Sequence, residues 1–425
     1  MKKFITLLMV FLFINSFCLY ADNVESFEKD PLAIGGKKPF GMQDRSFEIG
    51  ILNFNVNLAN NFLTIQEIFK DVVAIDIDNL SDGFKLNLGL DITPFYISFK
   101  SKKGWGFGLS TNIEGIGILG LSGNLLTLSE AVNDNSDISG ALFASATINA
   151  FFSVKKLKIS INPSLFYTLA YVTPPPESTS GLVYTLDYSA GNTKMCIDYN
   201  VRIYTGFSTD DDNFSLTSIP GFDLNIGLEY PLAKEIGLSK ILPFLDFDIS
   251  INAIHVPIIK SKISNYTEVS GRIGDSENPI TLFNGEDGSD FLSSFETPDS
   301  SDPVTGVAEI EVSRPFKIIA RLDWRPIWGT KLLTISPVFG FSYNELYSDP
   351  VSWEWGVNAC LNVANFFLFK AGVNYMDRMY VNSVGIGINL RAFELDVGVD
   401  IRAQTFEDSW TGKGLGVNFG LKFGW

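Results

Sequence analysis

Along most of this chain apolar and polar residues alternate with a period of two. In GFKLNLGLDI, Phe84, Leu86, Leu88, Leu90 and Ile92 share one face, and Lys85, Asn87, Gly89 and Asp91 share the other. The same alternation places Trp105, Phe107, Leu109 and Ile113 together, then Phe222, Leu224, Ile226, Leu228 and Tyr230, then Val351, Trp353, Trp355 and Val357. It runs to the last residue, where Leu415, Val417, Phe419, Leu421, Phe423 and Trp425 oppose Gly416, Asn418, Gly420, Lys422 and Gly424. A terminus normally frays and is polar, so this one is predicted to be locked into a sheet whose outer face meets something apolar.

The pattern predicts an all-β fold of about 16 long strands, with 14 as the alternative count. The sixteen include strands near 182–190 and 194–206, an unbroken strand 309–325, and one long loop over 259–308. Tight turns at Lys155 and Lys156, at Asn365, and at Arg391 and Ala392 follow even-numbered strands. Long connections at 60–82, 119–137, 207–220 and 259–308 follow odd ones. Short turns on one rim and long loops on the other are the asymmetry of a transmembrane antiparallel up-and-down β-barrel. A soluble sandwich would use strands about half as long. Lipid forbids open sheet edges, so the last strand is expected to pair with the first, around Phe54, Val56 and Leu58.

Two segments depart from the period. FLTIQEIFKDVV, with Thr64 and Glu67 at capping-box spacing, reads as a short amphipathic helix in the first long loop. Residues 22–45 have no period and read as an irregular entry segment, tucked into the lumen of a barrel over 46–425. Ahead of them, 1–21 has two lysines, an apolar run and Ala21, the layout of a cleaved signal peptide.

Composition narrows the partners. The net charge of −16 becomes about −18 once Lys2 and Lys3 are removed, which argues against nucleic acid. Cys196 and Cys360, on separate strands, are expected to be free thiols. The reading calls for no cofactor, metal or catalytic residue; no acidic stretch has the spacing of a calcium loop. The single histidine, His255, sits where the alternation loses its phase, and Pro257 stands where an outer-membrane phospholipase would carry its serine.

Asn418, Gly420, Phe423 and Trp425 match, at each step, the carboxy-terminal assembly signal of bacterial outer-membrane β-barrel proteins, which the ending therefore resembles. The resemblance implies an outer-membrane location, contact with lipid, and recognition of Phe423 and Trp425 by the barrel-assembly machinery. The irregular amino-terminal segment and the size are similar to FadL-like fatty-acid transporters.

With apolar residues outward, the inward list becomes the functional surface. Asp246 and Asp248 are predicted to meet Lys317, Arg321, Asp323 and Arg325 of the next strand at the short-turn side. Arg391, Glu394 and Asp396, with Asp400 and Arg402 above, repeat the arrangement. Together they form a charge-banded, solvated lining. Near the closing seam Asn53, Asn55, Asn57, Gly106, Gly108, Gly385, Gly387, Gly416 and Gly420 make a smooth wall, against which the entry segment or the long loop is expected to rest. The function expected first is a passive channel, a porin for small solutes, as a homo-oligomer by analogy with barrels of this size. The rivals are a FadL-like transporter of hydrophobic molecules, marked by an apolar pocket in the lumen, and a non-conducting surface adhesin.

Overall fold

The computed structural model describes residues 46–60, 84–121, 137–176, 182–187, 194–210, 213–273, 280–281, 299–300, 303–327, 332–364, 366–390 and 392–425. The expected signal peptide, the entry segment, the amphipathic helix and Arg391 lie outside them.

Fourteen strands close into one barrel. In chain order they are β1 (Phe47–Asn60), β2 (Phe84–Lys100), β3 (Trp105–Leu121), β4 (Asp137–Val154), β5 (Leu157–Thr173), β6 (Gly221–Tyr230) and β7 (Asp246–Ile259). They continue as β8 (Phe316–Arg325), β9 (Leu333–Tyr343), β10 (Val351–Val363), β11 (Phe367–Met376), β12 (Met379–Leu390), β13 (Phe393–Ala403) and β14 (Gly414–Gly424). Each pairs antiparallel with its neighbours, and β14 returns to β1 with Phe54 opposite Phe419, Val56 opposite Val417 and Leu58 opposite Leu415. Closure leaves no edge to satisfy in lipid. The amides of Ser46 and Phe47 both donate to the Trp425 carbonyl at 3.1 Å, and the Phe47 and Trp425 rings lie 4.8 Å apart.

The apolar faces point out. Phe107, Ile148, Phe339, Trp353 and Val384 are exposed, whereas Thr147, Asn149, Ser160, Asn162 and Ser336 are buried. This inversion of the usual order is what a hydrocarbon solvent imposes.

Three features differ from the sequence expectation. The count is the alternative of 14 and not 16, because Leu182–Asp187 and Lys194–Thr205 pair with each other outside the barrel circuit. The 259–308 segment is in part a continuation of the wall: Ser261–Ile273 pairs with Val304–Val312 and with Lys194–Thr205, forming an outer sheet on the long-loop side. The strand expected over 309–325 divides at residues 313–315, which include Arg314 and Pro315. Proline has no amide to give the ladder, so the break falls beside it.

The rim asymmetry is broken on both sides: the connection 231–245 on the short-turn side is long and carries short helical turns, and one long-loop-side connection is tight. Met376 and Met379 are joined on the long-loop side by a two-residue turn in which Asp377 (φ 49°) and Arg378 (φ 65°) both take left-handed backbone. Positive φ at both central residues is the hairpin geometry that matches strand twist. It holds Asp377 over the barrel mouth.

Candidate functional site

On the inner wall the expected charged residues separate into three groups. At the short-turn end, Arg325 reaches Asp246 at 2.8 Å and Asp248 at 3.1 Å, and Arg321 lies 3.1 Å from Asp323, which also accepts from Ser336 at 2.7 Å. Lys317 is not with them. Eight residues from Arg325 on β8, it stands at the opposite end, 2.9 Å from Glu354 and 2.7 Å from Asp377. In the third group Asp396 is bound at 2.9 Å by Lys370 of β11, while Asp400 is gripped by Arg402 two residues on, at 2.9 and 2.6 Å. Glu394 is buried opposite Lys422 of β14.

Five of the carboxylates are buried where a solvated lining was expected: Asp248 and Asp400 are 0% exposed, Asp246, Asp323 and Glu394 2%. A buried carboxylate with its cation removed is expensive, whereas the intact pair adds little over an apolar replacement.

Three of the inward glycines have a local cause. A Cβ on Gly416 would collide with the Asp400 carboxylate, one on Gly387 would lie 2.7 Å from Asp396 Oδ1, and one on Gly420 would lie 2.9 Å from Asn53 Oδ1. Side chains of neighbouring strands lie flat across these positions, and Lys370 crosses Gly385 and Gly387 of β12 to reach Asp396.

Opposite this smooth wall the ladder is interrupted. Between Leu224 opposite Val256 and Ile226 opposite Ala253, β7 carries one extra residue, a bulge with His255 at φ 52°. The His255 amide donates to Asn225 Oδ1 at 2.6 Å, so a buried side chain replaces the lost backbone acceptor. The bulge turns Ile254 and His255 both inward, and their burial is nearly complete. The imidazole Nδ1 donates to the Pro315 carbonyl at 3.0 Å, tying β7 to the point where the next strand begins. It does not face lipid as a phospholipase histidine would.

Arg314, in the same connection, crosses to Asp223 with two bonds of 2.8 Å and to Ser164 at 2.8 Å, its guanidinium 5.1 Å from the Phe166 ring centre. Sequence reading missed it, because it falls within a segment read as regular strand. The arginine beside a proline was the available signal.

Between the two walls, towards the long-loop rim, lies a cavity of about 190 Å³. Its apolar lining includes Ile116, Ile254, Ile319, Met376 and Met379; its polar lining includes Asp91, Glu114, His255, Lys317, Glu354 and Asp377. Tyr347, from the loop between β9 and β10, stands at its edge. Burial, and then the Asp377 carboxylate, push this phenol above the ordinary tyrosine range, so it remains protonated. Of Cys196 and Cys360, Cys360 is buried; the Cys196 side chain lies outside the described residues. No group of three or more metal-binding side chains occurs among the described residues.

No protein-family model and no curated protein matches the sequence. Solved structures do match. The Pseudomonas putida toluene transporter TodX is similar over 93% of this chain and 93% of its own, at 8% identity and a TM-score of 0.50. The CymD monoaromatic hydrocarbon channel aligns over 96% and 94% at 8% identity and a TM-score of 0.47. A Pseudomonas aeruginosa FadL homologue aligns over 96% and 98% at 11% identity and a TM-score of 0.42. With its closed circuit of fourteen antiparallel strands and its apolar face turned outward, the chain is an outer-membrane β-barrel that shares the fold of the toluene transporter.

Proposed function

We propose that this barrel is an outer-membrane channel for small hydrophobic molecules, the second of the readings the sequence left open, rather than a porin for polar solutes. The observation that carries it is the cavity. A lumen lined mainly by Asn, Ser, Thr and paired charges would give apolar molecules no foothold, but here Ile116, Ile254, Ile319, Met376 and Met379 converge in one place. Methionine, flexible and polarisable, suits a site that accepts more than one apolar shape. Apolar lining with a few polar groups is the usual composition of a small-molecule site. The toluene transporter with the same fold adds support for the ligand class. The buried pairs Arg325 with Asp246 and Asp248, Lys370 with Asp396, and Arg402 with Asp400 fix the lumen's shape in this reading.

Two assays on the refolded protein test the proposal. Hexanol and toluene should bind saturably in calorimetry, and planar-bilayer recordings should lack the steady ohmic current of a porin. Porin-scale current with glucose permeation and no apolar binding would overturn it in favour of a polar pore. Silence in both assays would overturn it in favour of the adhesin.

A further inference from the structure

At the short-turn end three neighbouring connections carry lysines: Lys102 and Lys103 between β2 and β3, Lys155 and Lys156 between β4 and β5, and Lys234 and Lys240 between β6 and β7. They form one arc of the rim, because β3 pairs with β4 and β5 with β6. The Ser153 amide donates to the Gly104 carbonyl at 2.7 Å, joining the first turn to the second, and Lys156 pairs with Glu235, joining the second to the third. All six lysines are exposed. The carboxylates beside them are already engaged, Glu229 by Lys158 at 2.7 Å and Asp246 by Arg325 at 2.8 Å. Lys102, Lys103, Lys155 and Lys240 have no ion-pair partner among the described residues.

The third connection, 231–245, also exposes apolar side chains. Ile236 is 61% exposed, Ile241 77% and Phe244 46%, an apolar concentration that water would penalise. The Trp324 indole donates to the Phe244 carbonyl at 2.7 Å, and Trp324 stands on the outward face of β8, opposite Phe247 of β7. The end of the connection is thereby fixed against the lipid-facing wall. On β3 and β4 the outward pair Trp105 and Phe152 carries exposed aromatic surface up to the same arc. The apolar belt therefore runs past the ends of the strands and meets the lysines there.

We propose that this arc docks on the phospholipid leaflet at the short-turn side and selects anionic headgroups: their phosphates meet Lys102, Lys103, Lys155 and Lys240, while Ile241, Leu242 and Phe244 enter between the acyl chains. Short turns of such barrels face the periplasm, so the leaflet is the inner one. Attraction to an anionic surface is worth about fivefold per lysine, and an apolar segment sunk into the headgroup boundary adds to it. The inference does not depend on what the channel carries.

The test uses the full-length protein refolded into phosphatidylcholine vesicles with a trace of spin-labelled phosphatidylglycerol or spin-labelled phosphatidylcholine. The motionally restricted fraction of each label measures its association with the barrel. Phosphatidylglycerol should associate about threefold or more tightly at low salt and lose that preference at high salt. Lys102→Gln, Lys103→Gln, Lys155→Gln and Lys240→Gln together should bring it to the level of phosphatidylcholine. In the otherwise unaltered chain, a nitroxide at Ile241 should be open to oxygen and closed to a water-soluble nickel reagent. Equal association of the two lipids with the unaltered protein would overturn the proposal, as would a preference that survives the four substitutions. Ready nickel access at Ile241 would overturn insertion of the connection. A label closed to both reagents would put a protein partner or a second copy of the chain in the place of lipid, and overturn it as well.

Discussion

The half of the barrel from β9 to β14 and the stretch from β5 to β8 are built from similar residues but solve different problems. From β9 to β14 the ladder runs without a register shift across every pair, from Leu333 opposite Leu361 to Phe393 opposite Phe423. From β5 to β8 the chain has the bulge at His255 and a break at residues 313–315, and two buried side chains, Asn225 and Arg314, do work the backbone does elsewhere. The regular half is held by repeated pairing and by apolar contact with lipid. The irregular stretch is held by a few specific buried hydrogen bonds, and it supplies Ile254 and His255 to the cavity. Irregularity is how an alternating sheet brings apolar side chains into a polar lumen.

Substitutions can break this contrast, beginning with the largest effect. Arg314→Ala strands Asp223 in a buried site and should cost about 3 to 5 kcal/mol in urea unfolding of the refolded protein. Replacing Arg314 by Met and Asp223 by Leu together should recover most of that loss; no recovery would mean the pair is itself a strong source of stability. On the regular half, Val384→Arg places a charge against lipid near mid-strand and should cost about 2 to 4 kcal/mol by the same measurement. A neutral result would contradict the outward assignment of β12.

Asn225→Ala leaves the buried His255 amide without its acceptor, at a cost of about 1 to 3 kcal/mol. It should also weaken hexanol binding, because Ile254 is placed by that bulge. Gly416→Ala, whose new methyl group meets Asp400, should disturb the Arg402 pair without touching the bulge, so hexanol affinity should hold. The smallest effect belongs to Lys262 on the outer sheet, whose pKa is raised above the ordinary 10.5 by its hydrogen bond to Glu309, with Glu311 adding to it. Its contribution is present below that value and lost as pH rises through the higher folded-state pKa. Since Lys262 and both carboxylates are open to solvent, Lys262→Ala should leave unfolding midpoints at pH 7 unchanged within error.

How much could be read from the sequence follows the same divide. Where each residue pairs with one partner, period-two alternation reports direction, so the outward set and the closing register of β14 on β1 were legible. Of the two strand counts, the alternative of 14 holds in place of 16, because alternation does not reveal that Leu182–Asp187 and Lys194–Thr205 pair outside the barrel circuit. Lys317 was misplaced because nothing in a strand's sequence says how far along the barrel axis its neighbour's carboxylates lie. At Gly387, Gly416 and Gly420 the groups that approach are the side chains of Asp396, Asp400 and Asn53 on adjacent strands, which a period-two pattern does not report. Nothing in the alternation marks Asn225, since its role exists only once an extra residue in β7 has removed an acceptor.

Everything rests on the direction of the side chains, which a nitroxide scan through residues 146–152 of β4 in lipid vesicles reads directly. The account predicts oxygen-accessibility maxima at Ala146, Ile148 and Phe152, and minima at Thr147, Asn149 and Phe151. Maxima on the opposite phase, or ready access of a water-soluble nickel reagent to Ile148, would contradict it.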